Sequence, residues 1–389
     1  MEFCLATEKD RRQVEGLWGY CFEPPDNPFF QWYFSRSWQP ADTLCGFEQG
    51  GLTCCVHLNP YTLQLRGTEQ PVTYIVGLAT APAARRGGVA ESLLTEALQE
   101  MRRRRQFFTV LMPSRAGFYY PFGWELCYHQ LKYRLEIEEL RRLASREGAF
   151  RMLAGTADWS CLADVYNRFV AGRHGYAVRK EAEWHRLMES HQAENGHIAV
   201  LSLADQPAGY LLYHVRDNTV IVGDMAFTSW QARCSLLGFI YNHRSSALYA
   251  EWNSPLDDTL HFALPNPKQG ISLLPFMSGR VVDVSQGLMS LTYPRESCGK
   301  LRLAVHDHLA EWNNGTFEVC VAGGRATVRF SSESPDVTCS VGALALLVFG
   351  RLSARELADT ERLTAVGERA LDTLDAWFPV QKNYINEYF

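Results

Sequence analysis

The sequence has no surplus of positive charge. Its 389 residues carry 38 lysines and arginines against 43 acidic residues, a formal net charge of −5. Nucleic acid is therefore excluded as a main ligand, because neutralising phosphates needs a basic excess. Long apolar runs are also missing. The longest, from Val341 to Phe349, is about half of the ~20 residues that a membrane-spanning helix needs, so no membrane partner is expected. The first residues, MEFCLATEKDRR, lack the apolar core of a secretory signal. The eleven cysteines include no C-x-x-C pair, and their number is odd. This pattern points to buried, reduced thiols in a cytoplasmic protein. Cys54 and Cys55 are neighbours, and neighbours on a strand face opposite ways, which argues against a metal pair. There is no short-period repeat and no low-complexity tract. What remains is a globular composition, 47% hydrophobic and 21% charged, long enough for two or three domains of roughly 150 residues each.

Periodicity divides the chain into three regions, 1–137, 146–282 and 283–389. The first opens with a helix from Asp10 to Phe22 and has strands at Thr53 to Asn59, Leu63 to Leu65, Thr73 to Thr80 and Phe107 to Met112. Between the last two strands, Val89, Leu93, Ala97 and Met101 recur at the spacing of a helix from Gly88. Arg102 to Arg105 close that helix and read as a solvated cap suited to its negative end. A charged stretch, Glu138 to Glu147, links to the second region. Strands are expected there at Ile198 to Leu203, Tyr210 to Val215 and Thr219 to Phe227, then a helix from Ser229 to Asn242 and a strand from Ala247 to Trp252. The third region is predicted to have strands at Leu301 to Val305, Thr316 to Val321, Arg325 to Phe330 and Thr338 to Val341. Its helices fall at Ala343 to Phe349 and Val366 to Trp377.

The chemistry concentrates at VGLATAPAARRGGVAESLLTEALQEM, Val76 to Met101. A strand feeding a glycine-rich turn into a helix N-terminus forms an anion site: glycine lets the backbone approach, and free N–H groups point at the ligand. The P-loop is excluded because no Lys-Ser/Thr follows the glycines, and G-x-G-x-x-G does not fit. The alternative is a tight corner with two surface arginines. The matching corner of the second region, TSWQARCS after Phe227, has no glycine and so no equivalent place for an anion.

The spacing Arg85-x-x-Gly88-x-Ala90, with the aromatic stretch SRAGFYYPFGW from Ser114 to Trp124, resembles the GCN5-related N-acetyltransferases (GNAT). The whole chain is similar to the enhanced intracellular survival (Eis) acetyltransferases within that superfamily. MSGRVVDVSQGL, Met277 to Leu288, and the aromatic C-terminal residue carry this second likeness. The resemblance implies an α+β fold: tandem GNAT folds with mixed, largely antiparallel sheets, then a sterol-carrier-protein-like α+β domain. It also implies acetyl-CoA as co-substrate without a metal, and a hexamer. Leu78, Ala79 and Thr80 would hold the pantetheine arm with their backbone. Arg85 or Arg86 would pair with the diphosphate, and the backbone at Gly87, Gly88, Val89, Ala90 and Glu91 would cradle it. Ser114 and Arg115 would touch the nucleotide end. Gly87 stands where relatives often have another basic residue.

Acetyl transfer from a thioester to an amine needs a base for the amine, whose pKa is near 10.4, and a proton for the departing thiolate. The resemblance assigns the acid to Tyr119, with Tyr120 and Tyr128 as rivals. If the segment is extended, Tyr120 points away from Tyr119. The base implied is the C-terminal carboxylate of Phe389. Enclosure would raise its basicity, and Trp377, Phe378, Tyr384, Ile385 and Tyr388 give the tail apolar surface with which to dock. A cationic amine wants carboxylates and aromatic faces. Asp26, Phe29, Trp32 and Glu387 are the candidates, with a purely structural aromatic cluster as the alternative. His306 and His308 would share a strand face, but no third ligand has zinc-like spacing. The expected activity is N-acetylation of a small-molecule primary amine, aminoglycoside-like or lysine-type. The alternatives are a lipid or acyl-chain carrier, motivated by the apolar GALALLVF, and a non-catalytic acyl-CoA sensor.

Overall fold

The computed structural model describes residues 1–388. Its first strands are β1 (Glu2–Leu5), β2 (Thr43–Glu48), β3 (Gly51–Leu65), β4 (Thr68–Thr80), β5 (Phe108–Leu111) and β6 (Glu125–Glu136). The next six are β7 (Ala149–Leu153), β8 (His197–Leu203), β9 (Gln206–Arg216), β10 (Thr219–Phe227), β11 (Tyr249–Pro255) and β12 (Ile271–Val281). All twelve form one sheet in the order β1-β2-β3-β4-β5-β12-β6-β11-β10-β9-β8-β7. The two N-terminal regions therefore exchange their last strands. β12 comes from the second region and pairs antiparallel with β5, Val281 opposite Phe108. β6 comes from the first and pairs antiparallel with β11, Leu135 opposite Ala250. The exchanged strands also pair with each other.

Helices pack on this sheet: α1 (Arg11–Cys21), α2 (Pro28–Trp32), α3 (Val89–Arg103) and α4 (Ala116–Tyr119) in the first unit, α5 (Trp159–Val170), α6 (Glu181–Ala193) and α7 (Trp230–Tyr241) in the second. The predicted periodicity holds for α3, whose Leu93, Leu94, Ala97, Leu98 and Met101 are buried. The reading of two short strands between Thr53 and Leu65 does not. They form one strand, because Pro60 pairs opposite Thr73 without ending it. The arginine run is solvated as expected at Arg102, Arg103 and Arg105, which are exposed, but it is also paired. Arg102 pairs with Asp283 (2.8 Å) and Arg104 with both Asp42 (2.6 Å) and Glu100 (2.7 Å). Asp283 lies just past β12, so strand exchange delivers that partner. Cys54 and Cys55 do face opposite ways, into separate cores. All eleven cysteines are free, but only five are buried.

After α8 (Val284–Ser290), the third region forms a five-stranded sheet of β13 (Gly299–His306), β14 (Gly315–Ala322), β15 (Arg325–Ser331), β16 (Val337–Ser340) and β17 (Leu363–Ala365), in the order β15-β14-β13-β16-β17. Between β16 and β17 come α9 (Val341–Val348) and α10 (Ala354–Asp359), and α11 (Glu368–Trp377) follows. Every residue of α9 is buried, and it packs against β6 and β12, sharing one core with the first sheet. Arg66, in the β3–β4 turn, reaches across to cap this helix. It donates to the carbonyls of Leu347 (2.6 Å) and Val348 (2.9 Å), satisfying groups that a helix C-terminus leaves bare. A second buried tie joins the units. Arg280 on β12 is paired with both carboxylate oxygens of Asp307 (2.8 and 2.9 Å), and neither side chain is exposed.

From α11 the chain crosses all three regions. Asn383 donates to the carbonyls of Phe349 (2.7 Å) and Cys127 (3.1 Å), and Gln130 donates to the carbonyl of Ile385 (2.6 Å). His174 accepts the Arg66 amide at Nε2 (2.9 Å), so its neutral ring carries the proton on Nδ1 and donates it to Asn383 (2.7 Å). Burial lowers the His174 pKa to about 4.

Two outcomes are expected. Asp307→Ala leaves Arg280 buried without its partner, which should cost about 3–5 kcal/mol in urea unfolding. His174, and His57 with its pKa lowered by burial to about 3, favour the uncharged form in the fold. Their contribution is complete above the unfolded value of about 6.5 and is lost as the pH falls toward about 4. A urea midpoint that stays constant across that window would contradict this.

Candidate active site

The parallel pairing of β4 with β5 covers only Val72 to Ile75. Immediately beyond, the register of β4 against β3 slips, so that Gly77 and Leu78 bulge. Gly77 has φ +59, and a Cβ there would lie 2.2 Å from the Trp18 ring, so two separate constraints demand glycine. The sequence signal was a lone glycine inside an apolar strand. The strands part at this bulge and open a cleft with about 1290 Å³ of empty space, mouth included. Leu78 and Thr80 line it, while Ala79, on the alternate face, is buried in the core beside Trp18.

At the end of the strand, Arg86 (φ 68) and Gly88 (φ 74) both take left-handed conformations. A Cβ on Gly88 would meet nothing within 4 Å, so backbone angle and not crowding requires the glycine. Gly88 is the N-cap of α3 and offers no side chain to it. The first amide to bond back is Ser92, to the Gly88 carbonyl (3.0 Å). The amides of Val89, Ala90 and Glu91 are left without a helix partner at the positive end of the dipole. Those three residues, Arg85, Arg86 and Gly88 line the cleft, facing Ser114, Arg115 and Phe118; Gly87 does not line it. Arg85 donates to the Thr80 carbonyl (3.1 Å) and to the Cys21 sulfur (3.6 Å). Bare amides and two exposed guanidiniums fit a diphosphate. In the second unit the same corner is closed. Ser229 caps α7 by accepting the Ala232 amide (3.1 Å).

The aromatic segment after β5 is helical, not extended, so Tyr119 and Tyr120 are set apart by the helical turn and not by strand alternation. Tyr119 ends α4, half-buried, edge-on to Phe118 with ring centres 4.9 Å apart. It lines the cleft, and burial raises its pKa above the ordinary tyrosine value, so its hydroxyl stays protonated at neutral pH. Tyr120 points outward and lines a different depression, beside Glu125. Tyr128 is buried and donates to the Gly175 carbonyl (2.9 Å). Of the three rivals, only Tyr119 reaches the cleft.

A second pocket, with about 580 Å³ of empty space, lies where the two units and the tail meet. Its aromatic wall comes from one helical stretch. Asn27 accepts the amides of Phe29 and Phe30 to start α2, and a π-helical turn, Tyr33–Ser37, continues it. Phe29, Trp32 and Tyr33 from this stretch, Tyr61 from β3, and Glu387 and Tyr388 from the tail line the pocket. Asp26 does not line it. It lies exposed on the preceding turn, outside the helix that turns its neighbours inward. α6 closes the far side with Glu183 and Arg186, which pair at 3.4 Å. Glu387 pairs with the buried Arg179 at 2.7 Å. Both carboxylates of the wall thus have a guanidinium partner.

His57, which the sequence did not single out, lies under the aromatic wall and hydrogen-bonds the Tyr33 hydroxyl through Nδ1 (2.6 Å). Its signal was a histidine in an apolar strand. His306 ends β13 and His308 lies beyond it, so they do not share a strand face as expected; both line one depression, and His308 reaches Glu91 at 2.9 Å, tying the rim of the cleft to the third region. Phe389 lies outside the described residues.

Residues 2–127 match the Acetyltransferase (GNAT) domain family, 175–281 match a second Acetyltransferase (GNAT) domain family, and 284–386 match the Sterol carrier protein domain. An uncharacterized N-acetyltransferase of Streptomyces avermitilis is 25% identical over 324 residues, 78% of each chain. One of Streptomyces coelicolor is 23% identical over 330 residues, again 78% of each. A GCN5-related N-acetyltransferase from Anabaena variabilis shares the fold over the whole of both chains (TM-score 0.86, 21% identity). So does Eis1 from Mycobacterium abscessus (TM-score 0.78, 21% identity). The chain belongs to the GNAT acetyltransferases, acetyl-CoA-dependent enzymes, and consists of two GNAT domains followed by a sterol carrier protein domain.

Proposed function

We propose that this acetyltransferase acylates a primary amine held in the aromatic pocket, by direct attack on a thioester held in the Gly88 cleft. The observation that carries the reading is the pairing of a bare α3 N-terminus with a half-buried tyrosine in one cleft. Acetyl-CoA supplies the acyl carbon and a thiolate leaving group. Arg85, Arg86 and the corner amides hold its diphosphate, and the edge of β4 beyond Gly77 aligns the arm. The amine nitrogen forms the new N–C bond as the C–S bond breaks. Tyr119 gives its proton to the departing sulfur, and the carboxylate of Phe389 takes the proton that the amine loses. Support for that base is the tail itself, which lines the acceptor pocket with Glu387 and Tyr388.

The paired charges of the pocket narrow the acceptor. A polycationic aminoglycoside would need several carboxylates free of other partners to offset the loss of water around its ammonium groups. Glu183 and Glu387 each already face an arginine. A lysine-type acceptor with one amine on an apolar arm suits the aromatic wall better. The carrier reading weakens, because GALALLVF forms the core helix α9, whose apolar surface is already packed against β6 and β12.

The test is steady-state CoA release across a panel of amines. Lysine-type amines should exceed kanamycin-type polycations in kcat/KM, and no release with any amine would remove the enzymatic reading. Tyr119→Phe should lower kcat by about 10²–10⁴-fold with little change in the KM for acetyl-CoA. Deletion of Phe389 should lower kcat similarly, and near-wild-type turnover would defeat the proposed base.

A further inference from the structure

In the second GNAT domain the helix that follows the parted strand, α7, is capped by Ser229, yet the domain repeats the strand geometry of the first. β10 and β11 pair in parallel over four residues, Thr219 to Val222, as β4 and β5 do over Val72 to Ile75. A bulge at Gly223 follows, as one at Gly77 does in the first domain. In each domain the two strands then part. In the first the parting is an open cleft. In the second it is filled by residues of the chain's own tail.

The contacts there are specific. The Asn386 side chain donates to the Gly223 carbonyl (2.9 Å) and to the Asp224 carboxylate (2.9 Å), both at the bulge. Across the gap, Asn253 of β11 bonds the Tyr388 hydroxyl. Arg179, with 1% of its side chain exposed, joins Asp224 (2.6 Å) to Glu387 (2.7 Å). The Tyr166 ring stacks at 4.3 Å from its guanidinium. A guanidinium so deep is tolerated only while both carboxylates are in place, so the charge cluster and the docked tail require each other.

We infer that the splayed β10–β11 edge of the second domain is a receptor for the chain's own tail, with Asn386 and the Arg179–Asp224 pair as positioning residues for acyl transfer in the first domain. The groove that opens for the carrier arm in one copy is filled by peptide in the other. The tail leaves it in register to line the acceptor pocket. This rests on the reading of the Gly88 cleft as the acyl-transfer site. It also sets the stoichiometry: one acetyl-CoA per chain, not two.

The experiment uses the full chain carrying Asn386→Ala, which removes both bonds to the bulge and keeps Arg179 paired. Amide exchange across 383–388 should accelerate by about tenfold or more. The kcat should fall about tenfold while the KM for acetyl-CoA stays within about twofold. A merely structural role would not split the two constants in this way. Asn253→Ala, which loses only the Tyr388 contact, should move both readouts the same way by less. Calorimetric titration of the wild-type chain with acetyl-CoA should give one site. Unchanged exchange in both variants, faster exchange with unchanged kcat, or two acetyl-CoA sites would each overturn the inference. The exchange and stoichiometry measurements need no turnover. If the wild-type chain is inactive with every amine, the acetyl-transfer reading falls while these still decide the receptor.

Discussion

Each GNAT domain donates its last strand to the other, and the rest of the structure depends on that exchange. Backbone hydrogen bonds across β5-β12-β6-β11 leave no edge at the junction, so neither domain can shift without breaking a ladder. Two consequences follow directly. Asp283, just beyond β12, is brought to the end of α3 to pair with Arg102. Arg280, within β12, is carried into the interior to meet Asp307. A charge that deep is affordable only with its partner fixed, and the ladder fixes it.

The joined sheet holds two copies of one idea with opposite outcomes. In the first copy, Gly77 and Gly88 supply a bulge and a left-handed N-cap, and the helix amides stay bare. In the second the bulge remains at Gly223, but Ser229 caps the helix and Arg233 lies buried against Asp258. The Ser229 hydroxyl accepts the Ala232 amide, one of those that an anion would otherwise take. The second copy keeps its strand geometry and has lost its anion site.

The tail connects these outcomes. It leaves α11, passes His174 and Gln130, and reaches the parted strands of the second copy, where Arg179 and Asn386 hold it. Along the way it supplies Glu387, already paired with Arg179, to the wall of the aromatic pocket. The same ion pair that anchors the tail therefore offsets the negative charge of that pocket wall.

By itself the sequence determined what depends on local spacing. The period of α3, the glycines of its N-cap, the strands around it and the aromatic segment after β5 were legible because each is a short-range pattern with its own backbone requirement. Tertiary structure decided what depends on distant partners. The strand exchange was invisible because neither β6 nor β12 was read as a strand, and pairing choice leaves no mark within a strand. The helical turn at Tyr119, the place of His57 and the exclusion of Asp26 from the pocket were likewise set by packing. The pairing of Glu387 with Arg179 was set across 208 residues. A carboxylate in a sequence shows that a charge exists. Only the folded chain shows whether that charge is free to bind a ligand or is already held by another part of the protein.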